Sequence, residues 1–281
     1  MDTEISIFGG GGFVGGWYHK LCGGHLHPKN EQTPKTNEIL TFVSTVDNYN
    51  IWDSPTLDIH TNQIWLINLL ENSRRKFGKD FTINFISSWF VYGKEGANPV
   101  QEDVVCRPTG FYSITKLAAE LMLESYCQSY GIQYRILRLA NVLGVGDKKA
   151  SRKKNAFQYM IETLVRGGTV QLYRDDHTRD FINVRDCVRI IYYIIHQAPV
   201  NNIYNIGSGV PQSINDWVNA VQQVYGGEIE LVDVPPFHNT VQRRHFWMDV
   251  TKAQGWVPPG HAIYSLEDTI RWIAESVKNE N

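Results

Sequence analysis

Cysteine is scarce in this sequence, and the four that occur, Cys22, Cys106, Cys127 and Cys187, are scattered with no C-x-x-C pair. That spacing argues against a disulfide framework or a metal site and is expected of reduced thiols in a cytoplasmic protein. Long apolar runs are missing too: no segment approaches the roughly 18 uninterrupted apolar residues needed to span a bilayer, so no membrane partner is expected. Nor is one sign of charge in excess. Lys and Arg number 27 against 29 Asp and Glu, a formal net charge of -2, which argues against nucleic acid as a partner. The opening Met1-Asp2-Thr3-Glu4 is acidic and has neither the basic start nor the apolar stretch of a signal peptide. Internal repeats and low-complexity tracts are absent, and His25, His27 and His60 lack partners at metal-ligand spacing.

What is present is enough apolar residue, 42% of 281, for a large core or for two lobes sharing an interface. Short β-prone runs alternate with helical patterns. Ile5 to Phe8 precedes a helical stretch to about Cys22, and His25 to His27 is a candidate second strand before a polar loop from Pro28 to about Glu38. Ile39 to Val46, Phe81 to Ser87 and Tyr134 to Leu139 read as buried strands, with helical patterns at Thr61 to Phe77 and Tyr112 to Tyr130. Such alternation implies parallel strands joined by crossovers, hence an α/β sheet covered on both faces. The second half predicts a helix over Asn155 to Val165, strands at Val170 to Tyr173, Phe181 to Val184 and Ile203 to Ile206, and an apolar helix to about His196. Amphipathic helices follow at Ile214 to Tyr225 and Leu266 to Val277. The expected division is a dinucleotide-binding part over residues 1–150, to which 181–207 return, and a smaller substrate lobe from 151–180 and 208–281.

Gly9-Gly10-Gly11-Gly12-Phe13-Val14-Gly15 joins the first strand to the first helix. Gly9 permits a tight turn, Gly12 a close approach of backbone to pyrophosphate, and Gly15 close helix–strand packing, while the helix N-terminus offers free N–H groups. The competing reading is a plain flexible turn. About 20 residues on, an acidic residue normally binds the adenosine ribose, and here the chain reads His27-Pro28-Lys29-Asn30-Glu31. Lys29 suits a 2′-phosphate and Glu31 a displaced ribose ligand, while either is equally a solvated loop charge, so NAD against NADP stays open.

Tyr112 and Lys116 stand four apart on one helical face. A phenol is a poor base at neutral pH unless a nearby ammonium favours phenolate. So placed, Tyr112 takes a proton from a sugar hydroxyl as hydride leaves the same carbon, Lys116 holds the nicotinamide ribose, and Ser88 orients the substrate oxygen. An ordinary amphipathic pair, and a serine capping the next turn, explain the same residues separately. Their order after a glycine turn is what unites them.

With these residues on the page, the chain resembles the extended short-chain dehydrogenases/reductases, the NAD-dependent nucleotide-sugar epimerase/dehydratase group. The resemblance runs through Gly9 to Gly15, Ser87 to Gly93, Pro108 through Tyr112 and Lys116 to Glu120, Arg138 to Gly144, Arg179 to Val184, Tyr204 to Gly207, and Arg244 with Asp249 and Gly255-Trp256. It implies a Rossmann-like doubly wound parallel sheet with a smaller C-terminal substrate lobe. It also implies catalysis by Ser88, Tyr112 and Lys116, with NAD or NADP on Gly9, Gly12, Phe13, Val14, Gly15, Lys29, Asn30, Tyr112 and Lys116. A nucleotide-diphosphate sugar is expected at Ser88, Trp89, Asn141, Asn155, Arg179 and Arg244, with Val170 to Tyr173 beside the base. Salt bridges from Arg179 to Asp176 or Asp180, and from Arg244 to Asp249, compete with the phosphate role. The basic run Lys148, Lys149, Arg152, Lys153 and Lys154 reads as a solvated loop.

Two departures carry weight. Between the first helix and Ile39 the chain has room for one short strand and a loop, so a truncated sheet is expected, lacking a helix and strand after the second strand. Trp89 and Phe90 stand where sugar 4,6-dehydratases carry an acidic pair; neither ring is a general acid or base, which argues against dehydration. Three functions remain: a 4-epimerase with retained cofactor, an NADPH-dependent 4-keto-sugar reductase, and a degenerate nucleotide-sugar binder without turnover. The helices Thr61 to Phe77 and Tyr112 to Tyr130 resemble the family's dimer bundle, so a homodimer is expected, although burial against the sheet explains part of the same pattern.

Overall fold

The computed structural model describes residues 4–46, 49–94, 96–148, 150–241, 245–261 and 263–280. Met1 to Thr3, Lys149 and Arg244 lie outside the described residues. Along the chain, β1 (Ile5–Phe8) runs into α1 (Phe13–Cys22), and the two-residue β2 (His25–Leu26) precedes β3 (Glu38–Thr41). Two short helices, α2 (Asn50–Asp53) and α3 (Pro55–Ile59), lead through a π-helical turn (His60–Ile64) into α4 (Trp65–Phe77). Then come β4 (Thr82–Ser88), a 3-10 turn (Trp89–Tyr92), α5 (Phe111–Tyr130) and β5 (Gln133–Leu139). The next stretch holds β6 (Asn141–Leu143), α6 (Ala156–Val165), β7 (Thr169–Tyr173), β8 (Thr178–Asn183), α7 (Val184–Gln197) and β9 (Asn202–Ile206). The chain closes with β10 (Pro211–Ser213), α8 (Ile214–Tyr225), β11 (Glu228–Val232), α9 (Pro236–Val241), α10 (Thr251–Gln254) and α11 (Leu266–Asn279).

Six parallel strands form the main sheet in the order β2-β1-β3-β4-β5-β9. Both faces are covered, as parallel sheets require. Leu66, Leu69 and Leu70 of α4 and Leu123 of α5 pack on Ile39, Ile83, Phe85 and Ile136. On the other face, Tyr18 of α1 and Val188, Ile191 and Ile194 of α7 pack on Ile5, Ile7 and Leu137. Each fully buried side chain of this size contributes about 2 kcal/mol, so the two faces hold the sheet more than strand propensity does. Because the chain leaves β1 towards β2 and returns on the far side to β3, the strand order reverses at β1. The carboxyl edge at such a reversal is where sheets of this kind bind ligands.

The expected order of elements is observed, with differences of extent. The strand predicted to run to Val46 ends at Thr41, because its partner β1 stops at Phe8, where Gly9 takes a left-handed turn at φ 80°. No helix or strand forms between Leu26 and Glu38, so β2 is the outer strand of the sheet. Within 181–207, α7 and β9 lie with the main sheet, whereas β8 pairs with β6 and β10 instead. The remaining strands, β7 and β11, pair with each other. A third core unites Phe157, Ile161, Leu172, Val218, Ile270 and Ile273 from α6, β7, α8 and α11.

Asp180 pins the two regions together. It is fully buried, and its carboxylate accepts hydrogen bonds from Ser208 N–H (2.8 Å), Ser208 Oγ (2.8 Å), Gly209 N–H (3.1 Å) and Met248 N–H (3.3 Å). Burial raises its pKa, while those donors hold the charged form. Asp180→Ala leaves these donors without an acceptor and is expected to cost at least about 3 kcal/mol. Thermal unfolding checks it; a midpoint within a degree of wild type would contradict the pinning role.

Candidate active site

The glycine turn follows from β1. After Phe8 the chain reverses at Gly9, whose carbonyl accepts from Gly12 N–H at 3.0 Å, and α1 starts at Phe13 with no side chain capping it. A Cβ on Gly15 would lie 2.6 Å from the Gly9 oxygen, so only glycine lets the helix sit this close to the turn. The first N–H groups of α1 are thus open to an anion beside exposed backbone at Gly11 and Gly12. Phe13 and Val14 are half-buried against the core. Lys29 and Asn30 are exposed on the turn from Pro28 to Glu31, just past β2 and so next to this loop. His27 is buried there, stacked 4.3 Å from Phe8, with Nδ1 3.4 Å from Glu31 Oε2.

Ser88 is the last residue of β4, and its Oγ accepts from Phe90 N–H at 3.4 Å, capping the 3-10 turn. The Phe90 ring meets Tyr112, the buried second residue of α5, edge-on at 6.1 Å. One turn further along α5, Lys116 is 1% exposed. Its Nζ lies 4.0 Å from the centre of the Phe85 ring and has no hydrogen-bond partner. Burial pushes its pKa down to about 7, against the opposing charge of Glu120. A buried ammonium with no acceptor is costly. A dinucleotide fits this arrangement: ribose hydroxyls would supply acceptors for Lys116, and the glycine turn would hold the pyrophosphate.

Asn62 is a site residue that sequence reasoning missed. It sits in the π turn, 1% exposed, donating to Thr115 Oγ1 (3.1 Å) and Thr45 Oγ1 (3.0 Å) and accepting from Ser44 Oγ (3.0 Å) and Thr45 N–H (3.2 Å). It thereby ties the segment after β3 to α5, beside Lys116. Its only signal in the sequence is one amide on an otherwise apolar helical face.

On the substrate side, Trp89 is buried between Phe90 (4.1 Å) and Phe246 (4.5 Å), and the Arg179 guanidinium lies 5.3 Å over its ring. Asp176 accepts from the N–H groups of His177 and Asn215, Asp180 is held as above, and Arg179 donates through Nη1 to the Thr178 carbonyl at 2.9 Å. Asn141 donates to the Asp180 carbonyl at 3.1 Å. Asn155, left-handed at φ 47°, donates to the Val142 carbonyl and Asp147 Oδ2, both at 3.0 Å. The Val170 side chain is 1% exposed and packs inside the third core, since alternate residues of β7 face opposite ways. Tyr173, on the other face, bonds to His238 Nδ1 at 3.0 Å, and His238 also bonds to the Tyr49 hydroxyl. Lys153 reaches Asp53 at 3.9 Å. Among the described residues no cluster of metal-ligating side chains occurs, and no helix is long and apolar enough to cross a membrane.

Residues 32–207 match the model of the NAD dependent epimerase/dehydratase family. A putative UDP-glucose 4-epimerase of Methanocaldococcus jannaschii is 28% identical over 235 residues, covering 83% of this chain and 74% of that one. A GDP-6-deoxy-D-mannose reductase of Pseudomonas aeruginosa is 27% identical over 229 residues, 79% of this chain and 69% of that one. In fold, the chain is similar to a UDP-glucose 4-epimerase of Thermotoga maritima solved with UDP-glucose (TM-score 0.85, 24% identity, 99% of each chain).

The depressed pKa of Lys116 has a sign that can be tested. Between about pH 7 and the ordinary 10.5 the unfolded chain binds the proton that folded Lys116 has lost, so stability rises with pH across that window. Lys116→Met is expected to flatten that slope and to stabilise the cofactor-free protein at pH 6 by about 3 kcal/mol or more. Denaturant titrations at pH 6 and pH 10 measure both; an equal gain at both would contradict the buried-charge account.

Proposed function

The chain belongs to the NAD-dependent epimerase/dehydratase family, and on that premise we propose that it exchanges hydride at C4 of a nucleotide-activated sugar, as a 4-epimerase. The observation that carries this reading is the unpartnered Lys116 ammonium one helical turn from Tyr112, at the end of the strand that presents Ser88. A bound nicotinamide dinucleotide, NAD or NADP, supplies the hydride acceptor and donor. The protein's own groups handle the proton and the orientation. Ser88 Oγ holds the C4 oxygen. Tyr112, as phenolate, takes the C4 hydroxyl proton while the carbonyl forms, and returns it when the ketone is reduced from its other face, which inverts C4. Lys116 favours the phenolate by its charge and holds the ribose hydroxyls. Arg179, with Asn141 and Asn155 nearby, binds the nucleotide diphosphate, a role for which guanidinium geometry is suited; Arg244, assigned the same role from the sequence, lies outside the described residues.

A second reading, an NADPH-dependent 4-keto-sugar reductase, is favoured by one observation: Lys29 is exposed on the turn past β2, where a 2′-phosphate would lie. Cofactor extracted from denatured purified protein separates the two. Bound NAD supports the epimerase, whereas an empty site filled only by added NADPH supports the reductase. Exposed Ile64, Ile114 and Leu121 on the π turn and α5 support a homodimer through these helices.

Tyr112→Phe removes the proton acceptor and leaves the binding groups in place. Turnover of a nucleotide-sugar panel, followed by NMR, is expected to fall at least about a hundredfold, with nucleotide binding changed by less than about threefold. Turnover at the wild-type rate would refute the proton role.

A further inference from the structure

Behind the catalytic helix lies a buried charge that the chemistry above does not use. Glu120 is 1% exposed and stands four residues after Lys116, on the same face of α5. Its carboxylate accepts from Arg138 of β5 through Nη2 at 2.7 Å and Nε at 3.2 and 3.3 Å, and from Ser87 Oγ. Ser87 immediately precedes Ser88. Arg138 is itself 3% exposed, donates to the Glu102 carbonyl at 3.1 Å and stacks 4.7 Å over Tyr92. One carboxylate therefore joins three elements: the strand that ends in Ser88, the helix that carries Tyr112 and Lys116, and β5, which lies between β4 and β9 in the main sheet.

We propose that Glu120 is a positioning residue for the reaction, fixing Ser88 through Ser87 and setting the negative charge that Lys116 faces one helical turn away. The proposal rests on the acid–base roles assigned above to Ser88, Tyr112 and Lys116. A carboxylate clamped only for stability needs no such place, because replacing a buried ion pair by apolar groups is often neutral or stabilising. The other charged and titratable groups near Lys116 leave this role to Glu120. Tyr112 lies on its own helix. Asp58 of α3 is bonded to Asn50, and Tyr92 of the 3-10 turn to Asn205. Asp53 and His60, on α2 and the π turn, are exposed. On β5, Arg135 is bonded to the Ala198 carbonyl and Tyr134 to Glu124, while β4 carries no ionisable side chain. Among the described residues, Glu120 is the one charge that opposes the burial of Lys116.

The test reads Lys116 directly. With lysine labelled at 13Cε, the Lys116 resonance is assigned by its loss in Lys116→Met, and its titration is followed in wild type, Glu120→Gln and Glu120→Asp. The midpoint is expected to fall by about one pH unit or more in Glu120→Gln. It should stay nearer wild type in Glu120→Asp, which keeps the charge but draws it away from Ser87. The alkaline limb of the kcat profile should move down with the midpoint in Glu120→Gln, and Glu120→Asp should lower kcat without moving that limb as far. Should Glu120→Gln not fold, because Arg138 is left unpaired, Glu120→Gln with Arg138→Met is titrated instead, and the midpoint must still fall. Unchanged midpoints, or equal shifts in the Gln and Asp variants, overturn the proposal. If wild type turns over no nucleotide sugar, the proposed function fails, and the titration still decides the role of Glu120.

Discussion

An ammonium buried without a hydrogen-bond acceptor is the constraint around which this site is arranged. Left in a low-dielectric setting, Lys116 would lose its proton or pull water inward, since an isolated buried charge is far more costly than a buried hydroxyl. What surrounds it is a compromise. The Phe85 ring offers its negative face at 4.0 Å, Glu120 offers charge from one turn away, and no acceptor closes the shell. The missing acceptor is what supports the proposed binding role of this position, because a ligand bringing hydroxyl oxygens would be the least costly way to complete the shell.

That arrangement depends on a sheet whose edge stays open while its faces are closed. The chain leaves β1 to one side and returns to the other, so the carboxyl ends of β1, β3, β4 and β5 border one crevice. Gly9 and Gly15 let α1 start close to β1, which places open N–H groups at one end of that crevice. At the other end Asp180 anchors β8 to the segments at Ser208 and Met248, and the adjacent Arg179 is presented over Trp89. Asn62 performs the corresponding task for α5, from a π turn where the helix ladder is widened by one residue.

The alternation of strands and helices was legible because each long element carries its own period: β4 and β5 are buried runs, and α4 and α7 have clear apolar stripes. Of the site, the glycine turn and the Ser88, Tyr112 and Lys116 set stood out through order and spacing along the chain. What stayed hidden was set by tertiary pairing. β6 and β10 have three residues each and the alternating Glu228 to Val232 of β11 has five, too short to stand out, and they become strands through β8 and β7. A π turn leaves the apolar period of its helix nearly intact, so Asn62 gave no warning. The burial of Val170 was not legible because a strand pattern does not say which of its faces meets the core, and His238 lies on a six-residue helix with no pattern to read.

The distribution of charge has a consequence for what can bind. Groups that favour anions are the open N-terminus of α1 and the Arg179 guanidinium over Trp89, while the carboxylates of Glu120 and Asp180 are buried and held by their hydrogen-bond donors. At the end of β4 stand the hydroxyls of Ser88 and Tyr112 and the rings of Trp89 and Phe90. A ligand is therefore met as an anion at two places and as a neutral, hydroxyl-bearing body in the middle. That is the charge pattern of a dinucleotide and a nucleotide sugar laid end to end.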